Sequence, residues 1–358
     1  MTTTGDEGAG RAEPALPVAP EATALAETTT VAAAPLSPWA TGWRSLLLRP
    51  EMGLPLITLL FGVYLTFASQ YFLQYQNILN ITEAIAVLGI AASFATVVVV
   101  SGGIDLTPVT VGVMAGIVCL HGLNAEIPVP LVVVLALATA TGIGVLNGML
   151  IAVGRLNPFI VTLGTNFLFT GVAYVVTSGN AQLIPNHEFA QIGQSRLPGQ
   201  IPTSTVLMLG TFALAFCLLR LTKLGIHLYA IGGNEGAARL SGVRVQRVKL
   251  WVYAFSALAA GFAGVVQASA GGSVAPYAAS SSNDLLYILA AVIIGGTALT
   301  GGRGGVVGTL VGLLLLGMIN NGLALKSISS FYQPVVTGVI LIVAIVLDEL
   351  RRRVRQPA

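Results

Sequence analysis

The sequence Thr222–Lys249, TKLGIHLYAIGGNEGAARLSGVRVQRVK, is the most polar internal stretch of a chain that is otherwise almost continuously apolar. It holds five basic residues and a single acid, Glu235. Across all 358 residues, 55% are hydrophobic and only 9% are charged, which is typical of membrane proteins with several spans and not of soluble domains. The stretch therefore separates two groups of membrane spans and predicts a region presented to the cytoplasm.

Uncharged runs on both sides of this stretch are long enough to cross a membrane, because a helix needs about 20 apolar residues to span roughly 30 Å of hydrocarbon. They predict an all-α polytopic membrane protein with about ten transmembrane helices. The predicted spans are 54–73, 84–101, 106–122, 129–152, 158–177, 203–221, 249–269, 285–300, 305–324 and 332–348.

The distribution of Lys and Arg predicts the orientation in the membrane. With ten spans and a cytoplasmic N-terminus, 15 of the 17 basic residues face the cytoplasm, and only Arg196 and Lys326 lie outside. Both termini are therefore predicted to be cytoplasmic. Residues 1–45 lack apolar periodicity and are expected to form a disordered tail, followed by a transmembrane domain over 46–350 and a basic tail over 351–358.

Small residues recur at four-residue spacing in several spans, which lets helix backbones approach closely in lipid. This spacing favours helix packing within one subunit, with a subunit interface as the alternative. The residues are Gly112 and Gly116, Gly144 and Gly148, and Gly304, Gly308 and Gly312.

The sequence Ser101–Pro108, SGGIDLTP, places an acid, two glycines and a proline between two apolar runs. A charge at the bilayer centre costs at least about 2.5 kcal/mol on insertion scales, and non-helical backbone at that depth must be buried in protein or line a cavity. We predict a broken or re-entrant segment here. Asp105 either lines a solute pathway or caps the helix that begins near Thr107.

Neutral polar residues in other spans suit either hydrogen bonding to a hydroxyl-rich solute or contacts between helices. Because no relay of Glu, His or Lys accompanies them, they fit a neutral solute better than proton or ion coupling. Together with Asp105, the candidate pathway residues are Asn147, Thr162, Asn166, Asn320 and Asn321.

The sequence contains no catalytic motif: there is no HExxH, paired-cysteine metal site, phosphate-binding loop or nucleophile elbow. The glycine-rich sequence Thr300–Gly308, TGGRGGVVG, lacks the Lys-Ser/Thr ending of a phosphate loop and predicts a tight turn between two spans. Cys119 and Cys217 lie in apolar runs and are expected to be buried. We expect no catalytic residue, no metal site and no cofactor bound by this chain.

Within the polar stretch, residues 234–242 are predicted to form a short helix. Asn234 suits an N-cap, Glu235 suits the positive end of the helix dipole, and Gly242 suits the C-terminal break. A helix of this length is unstable alone, so it either needs a partner surface or is an ordinary interfacial loop helix. Its small, partly apolar face is formed by Ala237, Ala238 and Leu240.

Five long motifs resemble one family, the membrane permeases of ABC importers for simple sugars of the ribose, xylose and arabinose type. The resemblance covers roughly residues 50–350 in unbroken order. The family often continues its acidic motif as Asp-Leu-Ser-Val-Gly, whereas this chain carries Pro108. The motifs are SGGIDL (101–106), NGMLIAVGRLNPFIVTLGT (147–165), YAIGGNEGAARLSGVRVQRVK (229–249), AAVIIGGTALTGGRGGVVGTLVG (290–312) and INNGLALKSISSFYQPVVTGVILIVAIVLD (319–348).

The resemblance implies a permease domain over 46–350 that forms a homodimer, or pairs with a related subunit, in a prokaryotic plasma membrane. It implies a cytoplasmic ATPase with two fused cassettes that bind ATP and Mg²⁺, and an extracytoplasmic sugar-binding protein. The short helix becomes the coupling helix that docks in a groove of the ATPase. The implied contact residues are Asn234, Glu235, Ala237, Ala238, Arg239 and Gly242.

The implied function is import of a monosaccharide, either a pentose, a hexose or a related polyol, by alternating access driven by ATP hydrolysis on the partner. No nucleic acid is expected among the partners. The alternatives are a permease for branched-chain amino acids or nucleosides and a self-sufficient channel or ion-coupled transporter.

Overall fold

The computed structural model describes residues 53–280 and 282–329, together with scattered positions between 331 and 346. The predicted tails, 1–45 and 351–358, lie outside the described residues. So does most of the predicted span 332–348, and the count of ten spans therefore stays a prediction.

Most of the described residues are helical. The helices are α1 (Gly53–Ala68), α2 (Tyr75–Val100), α3 (Pro108–Asn124), α4 (Val129–Ala152), α5 (Pro158–Thr177), α6 (His187–Gln194), α7 (Thr203–Leu221), α8 (Lys223–Gly233), α9 (Glu235–Leu240), α10 (Val245–Gly271), α11 (Ser282–Ile294) and α12 (Val306–Leu325), with a 3-10 turn at Pro276–Ser280. The strands are β1 (Gln182–Leu183), β2 (Arg196–Leu197), β3 (Ile201–Pro202) and β4 (Ser273–Val274).

Nine of these helices are apolar enough to lie in a membrane. Six of them, α2, α4, α5, α7, α10 and α12, have the length and hydropathy of a full span, and α1, α3 and α11 are shorter. Large apolar side chains such as Phe67 (87% exposed) and Val175 (80% exposed) face outward. An exposed apolar surface of this extent indicates contact with lipid.

Several helix bounds agree with the prediction because proline or a cap marks them. Helices α4, α5 and α7 occupy the predicted ranges 129–152, 158–177 and 203–221. Proline stands in the first turn of α4 and α5, where its missing N–H has no intrahelical partner to lose. The Asn157 side chain caps α5 by accepting a hydrogen bond from the Phe159 N–H at 2.9 Å.

Other bounds were predicted wrongly because charged residues lie within helices. Helix α2 begins at Tyr75, before the predicted start at 84, and Glu83 lies on it. The Glu83 carboxylate accepts from the Arg196 guanidinium at 2.8 Å, so a partner in the loop before α7 satisfies its charge. Similarly, α10 begins at Val245 instead of 249.

The two cysteines differ. Cys119 is buried as expected, whereas Cys217 is exposed on the outside of α7. An apolar run specifies a membrane span but not which side of the helix faces lipid, and this is why the second expectation was wrong.

Helix α10 is the centre of the fold and packs against α2, α3, α4 and α6. Helices α2 and α10 are mostly buried, whereas α5 is largely exposed. The core along α10 is built from valine and alanine, with the larger Tyr253 fully buried among them.

Glycines make the closest helix contacts within the subunit. A Cβ atom at Gly264 of α10 would lie 2.0 Å from the Gly112 carbonyl oxygen of α3, and Gly144 of α4 meets the Tyr253 carbonyl oxygen in the same way. Gly308 of α12 lies equally close to the backbone of Gly295. These contacts support the prediction that the small-residue spacing serves packing within one subunit.

Four glycines form a junction between three segments, and we call Gly102, Gly232, Gly301 and Gly302 the glycine junction. A Cβ atom at Gly232 of α8 would lie 2.0 Å from the Val100 carbonyl oxygen at the end of α2. The Gly302 N–H donates to that same oxygen at 2.9 Å. Residues 300–304 form the tight turn predicted from the glycine-rich sequence, with Gly301 and Gly302 at positive φ.

Three of the four strands described above lie in the loop between α5 and α7, and β4 follows α10. Strand β1 pairs antiparallel with β4, and β2 pairs antiparallel with β3. Between them lies the amphipathic helix α6, whose Phe189 is buried against α10. This loop and its two short sheets join the ends of α5, α7 and α10.

Candidate functional site

The short helix α9 lies between α8 and α10, where the sequence places it. The Asn234 side chain accepts a hydrogen bond from the Ala237 N–H at 2.9 Å, which confirms the predicted N-cap. At the other end, Gly242 has φ +83° and its N–H donates to the Arg239 carbonyl, while the Val243 N–H donates to the Ala238 carbonyl. This pair of bonds is a Schellman motif, which ends the helix as predicted.

Glu235 fastens α9 to α10. Its carboxylate accepts from the Lys249 ammonium at 2.6 Å and from the Arg239 guanidinium at 3.1 Å. The hydrogen bond from Lys249 lowers the pKa of the Glu235 carboxyl below its usual value, and the interaction with Arg239 adds to this effect. Glu235 is thus occupied within the chain, although part of its side chain remains exposed.

The predicted contact residues of α9 do not all face outward. Asn234, Ala237, Arg239 and Gly242 are exposed, whereas Ala238 is 4% exposed and belongs to the core. Leu240 is 92% exposed and was missing from the contact residues inferred from sequence. The three-residue spacing of Ala237 and Leu240 is the signal that could have found it, because residues three apart share a helix face.

A depression of about 240 Å³ lies beside α9. Its polar lining comes from Arg155 in the turn between α4 and α5, from Glu235 and Arg239 of α9, and from Gln246 and Lys249 of α10. Three cations and one carboxylate therefore surround this depression. This surface, with the exposed face of α9, is suited to a protein partner that is acidic at the depression and apolar opposite Leu240.

The predicted break between α2 and α3 is present over residues 101–107. Asp105 is 3% exposed, and both of its carboxylate oxygens are occupied. One accepts from the Thr107 N–H at 2.9 Å and the Thr107 hydroxyl at 2.6 Å, and the other accepts from the Ser256 hydroxyl of α10 at 2.8 Å. This geometry is the local turn that short acidic side chains form before a helix, and it favours a structural role for Asp105 at the break. Its bonds go to Thr107, the N-cap residue, and not to an N–H within α3, so the helix itself has no side-chain cap.

Three of the other pathway candidates make hydrogen bonds within the protein near that break. The Asn147 carbonyl oxygen accepts from Thr165 at 2.6 Å, which joins α4 to α5. The Asn166 amide donates to the Leu106 carbonyl at 3.0 Å. Thr162, which is fully buried, donates to the Pro158 carbonyl of its own helix at 2.8 Å.

The last two candidates, Asn320 and Asn321, lie elsewhere, on the wall of a cavity of about 770 Å³. The cavity lies between α2, α11 and α12, and its further wall is formed by Phe331, Pro334 and Gly338. None of Asp105, Asn147, Thr162 and Asn166 lines it. The six predicted residues therefore divide into a packed group around the break and a pair that faces open space.

Sequence reasoning missed most of the polar residues of this cavity. The predicted span 285–300 leaves out Asp284, although its carboxylate is a strongly polar group in an otherwise apolar helix. The signal in the sequence that could have identified them is that polar residues stand near the same membrane side in three predicted spans. The missed residues are Asn80, Asn283, Asp284 and Tyr287.

The packed apolar helices with their outward-facing apolar surface define a multi-pass membrane protein. Residues 77–345 match the family described as branched-chain amino acid transport system / permease component. The match covers more than half of the chain, and the protein belongs to this family of membrane permeases.

Individual relatives with sugar names are similar to the chain over most of its length. The chain is 38% identical over 303 residues to the ribose import permease protein RbsC of Bacillus subtilis, covering 84% of this chain and 92% of the relative. It is 35% identical over 309 residues to RbsC of Escherichia coli K12, covering 85% and 95%. The D-allose transport system permease protein AlsC of E. coli K12 is 31% identical over 299 residues, covering 82% and 90%. No solved structure matches the chain.

Proposed function

We propose that the protein is the membrane permease of an ABC importer that carries a monosaccharide into the cytoplasm, driven by ATP hydrolysis on a partner subunit. The observation that carries this proposal is the 38% identity to a ribose import permease over 84% of the chain. Relatives that carry allose and arabinose in their names support the same class of solute.

The orientation belongs to the proposal. Both termini lie in the cytoplasm of a prokaryotic cell, and ten spans cross its plasma membrane. The support is the excess of basic residues on the side of α9, which the positive-inside rule assigns to the cytoplasm. Accessibility of single introduced cysteines to a membrane-impermeant reagent tests this, and labelling of Ala237→Cys from outside intact cells would contradict it.

The proposed partners are a cytoplasmic ATPase with two fused cassettes, an extracytoplasmic sugar-binding protein and a second copy of this chain. ATP and Mg²⁺ bind to the ATPase, and this chain binds no cofactor of its own. We assign the docking surface to the exposed face of α9, where Ala237, Arg239 and Leu240 point away from the core. The N-cap and the Schellman motif stabilise α9 and so keep this face ordered without a partner.

The docking assignment is tested by Leu240→Asp, with Leu183→Asp as the matched control. Both leucines are exposed outside the spans, but Leu183 lies in the loop between α5 and α7. Leu240→Asp should abolish co-purification of the ATPase, because a carboxylate replaces the apolar contact, whereas Leu183→Asp should retain it. Full transport by a chain with residues 234–242 scrambled would refute the assignment.

The family description names branched-chain amino acids, whereas the relatives above carry sugar names. Reconstitution of the permease with its ATPase and binding protein distinguishes the two. The proposal predicts that pentoses or hexoses stimulate ATP hydrolysis and uptake, and that leucine, isoleucine and valine do not. Uphill uptake in proteoliposomes that lack the ATPase would contradict the proposal and indicate an ion-coupled transporter.

A further inference from the structure

The cavity between α2, α11 and α12 has a composition that the packing of helices does not require. Its polar side chains come from three different helices and converge on one space. Asn321 bonds to Asn77 and Asn320 bonds to Tyr287 between helices, yet all six polar residues still line one open space. The polar lining residues are Asn80, Asn283, Asp284, Tyr287, Asn320 and Asn321.

The cavity lies at the end of the molecule remote from α9. On α2, Asn80 is 20 residues from Val100, which contacts the glycine junction, and that separation corresponds to about 30 Å of helix. Asn320 and Asn321 likewise stand near the C-terminal end of α12, whereas the glycine turn precedes its first residue. In the proposed orientation, this end faces the extracytoplasmic side, where a solute enters.

The chemistry of the lining matches a neutral solute with many hydroxyl groups. Each amide can donate and accept, the Asp284 carboxylate can accept from two hydroxyls, and the Tyr287 phenol can do both. No lysine or arginine lines the cavity within the described residues, so an anionic solute finds no counter-charge. Ile81, Ile85 and Leu88 supply an apolar wall for the C–H faces of a sugar ring.

Part of the site is held in place before a solute arrives. Asn321 and Asn77 exchange two hydrogen bonds, at 2.8 and 3.1 Å, and the buried Asn77 also donates to the Phe72 carbonyl at 2.9 Å. Gln76 donates to the Asn80 side-chain oxygen at 3.1 Å, a bond that uses neither N–H donor of Asn80. The side chains of Asn321 and Asn80 are thus each oriented by hydrogen bonds to a neighbouring amide. Each retains at least one donor for a ligand.

Two simpler roles for Asp284 explain less of the geometry. It stands in the first turn of α11, where an acid stabilises the helix dipole, but this effect does not account for the amides of two other helices around the same space. A carboxylate among amides could also bind a cation. The size of the cavity, within the range of small-molecule sites, favours a larger occupant.

We propose that this cavity is a solute-binding site of the permease itself, which takes a neutral monosaccharide or polyol through hydrogen bonds that Asp284 accepts and Asn320 donates or accepts. The site rests on the proposed function, because the proposed solute and direction of entry come from it. It adds to that function a selection step in the membrane, after the binding protein has released its sugar.

The test uses the full-length permease, alone and reconstituted with its ATPase and binding protein. Asp284→Asn keeps the shape of the side chain and replaces one acceptor oxygen by a donor, and Asn320→Leu removes a polar group from a different helix. Glu83→Gln is the matched control, since Glu83 is an acid on α2 that pairs with Arg196 and does not line the cavity. Monodispersity on size exclusion shows which variants are folded.

The first measurement is stabilisation of the purified permease by ribose, allose and arabinose, read as a shift in Tm. Wild type and Glu83→Gln should be stabilised alike by at least one sugar. The half-saturating concentration should rise about tenfold or more in Asp284→Asn and in Asn320→Leu, because each loses a buried hydrogen bond to the ligand. An unchanged half-saturating concentration in both folded variants overturns the proposal.

The second measurement separates this site from the proposed function. With a saturated binding protein, the transport rate of the complete importer should fall about tenfold in the two variants and stay unchanged in Glu83→Gln. Normal transport in both variants overturns the site and leaves the proposed function intact, whereas no sugar transport even in wild type overturns the function. Stabilisation by Na⁺ alone that Asp284→Asn abolishes would assign the cavity to a cation and refute the proposal.

Discussion

The two ends of α2 and α12 are held in opposite ways. At one end, the glycine junction brings backbone against backbone, and there is no room for a side chain at Gly232. At the other end, the same helices meet through side chains and, with α11, line a cavity of about 770 Å³ that holds amides and a carboxylate. Close contacts between backbones allow only one arrangement of the segments, so the end with the glycine junction is suited to closure. Side chains can replace their hydrogen bonds within the protein by hydrogen bonds to a solute, so the end with the cavity is suited to binding.

The largest effect is expected from a substitution that separates the closed end. In Gly232→Ala, the new Cβ would lie 2.0 Å from the Val100 carbonyl oxygen and 2.4 Å from the Gly302 nitrogen, both backbone atoms. We expect the free energy of unfolding to fall by about 3 kcal/mol or more. The measurement is a lower Tm or the failure to yield a monodisperse protein.

Gly233→Ala is the matched control for this prediction, since a Cβ at the next position meets nothing within 4 Å. That variant should melt at the wild-type temperature or slightly above. Equal melting of Gly232→Ala and wild type would show that the glycine junction is not a close backbone contact.

A smaller effect is expected at the break between α2 and α3. Ser256→Ala removes one hydrogen bond from the buried carboxylate of Asp105 and should destabilise the protein by about 1–3 kcal/mol, measured by thermal unfolding in detergent. Ser269→Ala on the same helix is the control, because that buried hydroxyl donates only to a carbonyl of its own helix, that of Val266. A destabilisation by Ser269→Ala as large as that by Ser256→Ala would argue against a special role for Asp105.

The open end should tolerate change better. Asn77→Leu removes the paired amide hydrogen bonds with Asn321, and interhelical hydrogen bonds in membranes average about 0.6 kcal/mol. We expect the free energy of unfolding to fall by about 1 kcal/mol, measured from the same thermal unfolding curves. A loss as large as that in Gly232→Ala would remove the distinction between the two ends.

The smallest effect on stability is expected at α9. Glu235→Gln breaks two partly exposed ion pairs and should cost less than about 1 kcal/mol, similar to Glu188→Gln in the first turn of α6. Its consequence should instead be functional: the importer should hydrolyse ATP without proportional uptake, because α9 is no longer fastened to α10.

The attachment of α9 should also depend on pH. Because the pKa of Glu235 is lowered in the folded chain, the stabilisation is fully present above the ordinary value of about 4.3 and is lost as the pH falls through the lowered pKa. A spin label at Ala237→Cys, in a chain without its native cysteines, should become more mobile as the pH falls through this lowered pKa. In Glu235→Gln the label should be mobile at every pH.

Composition and local signals were sufficient for the helices, because proline, caps and turn glycines act over a few residues. They specified the bounds of α4, α5 and α7, the N-cap Asn234 and the break around Asp105. They did not predict helix bounds that depend on a contact with a residue distant in the sequence. Glu83 lies within α2 because Arg196, more than a hundred positions along the chain, neutralises it.

The site was predicted less well for the same reason. Ala238 and Leu240 differ by two positions, yet one is in the core and the other is 92% exposed, because α8 and α10 cover one side of α9. The cavity was not foreseen, since Asn80, Asp284 and Asn320 belong to three helices and share no spacing in the chain. Only the directions in which those helices pack bring them together.

Helix α10 gives the molecule a mechanical property. Lys249, Tyr253 and Ser256 stand four and three residues apart, so they lie on one face of a single rigid rod. Lys249 holds α9 through Glu235, and the other two donate to Ile104 and Asp105 in the break, about 10 Å further along the axis. A displacement of α9 that pulls on Lys249 would therefore act on the same helix that holds the break around Asp105.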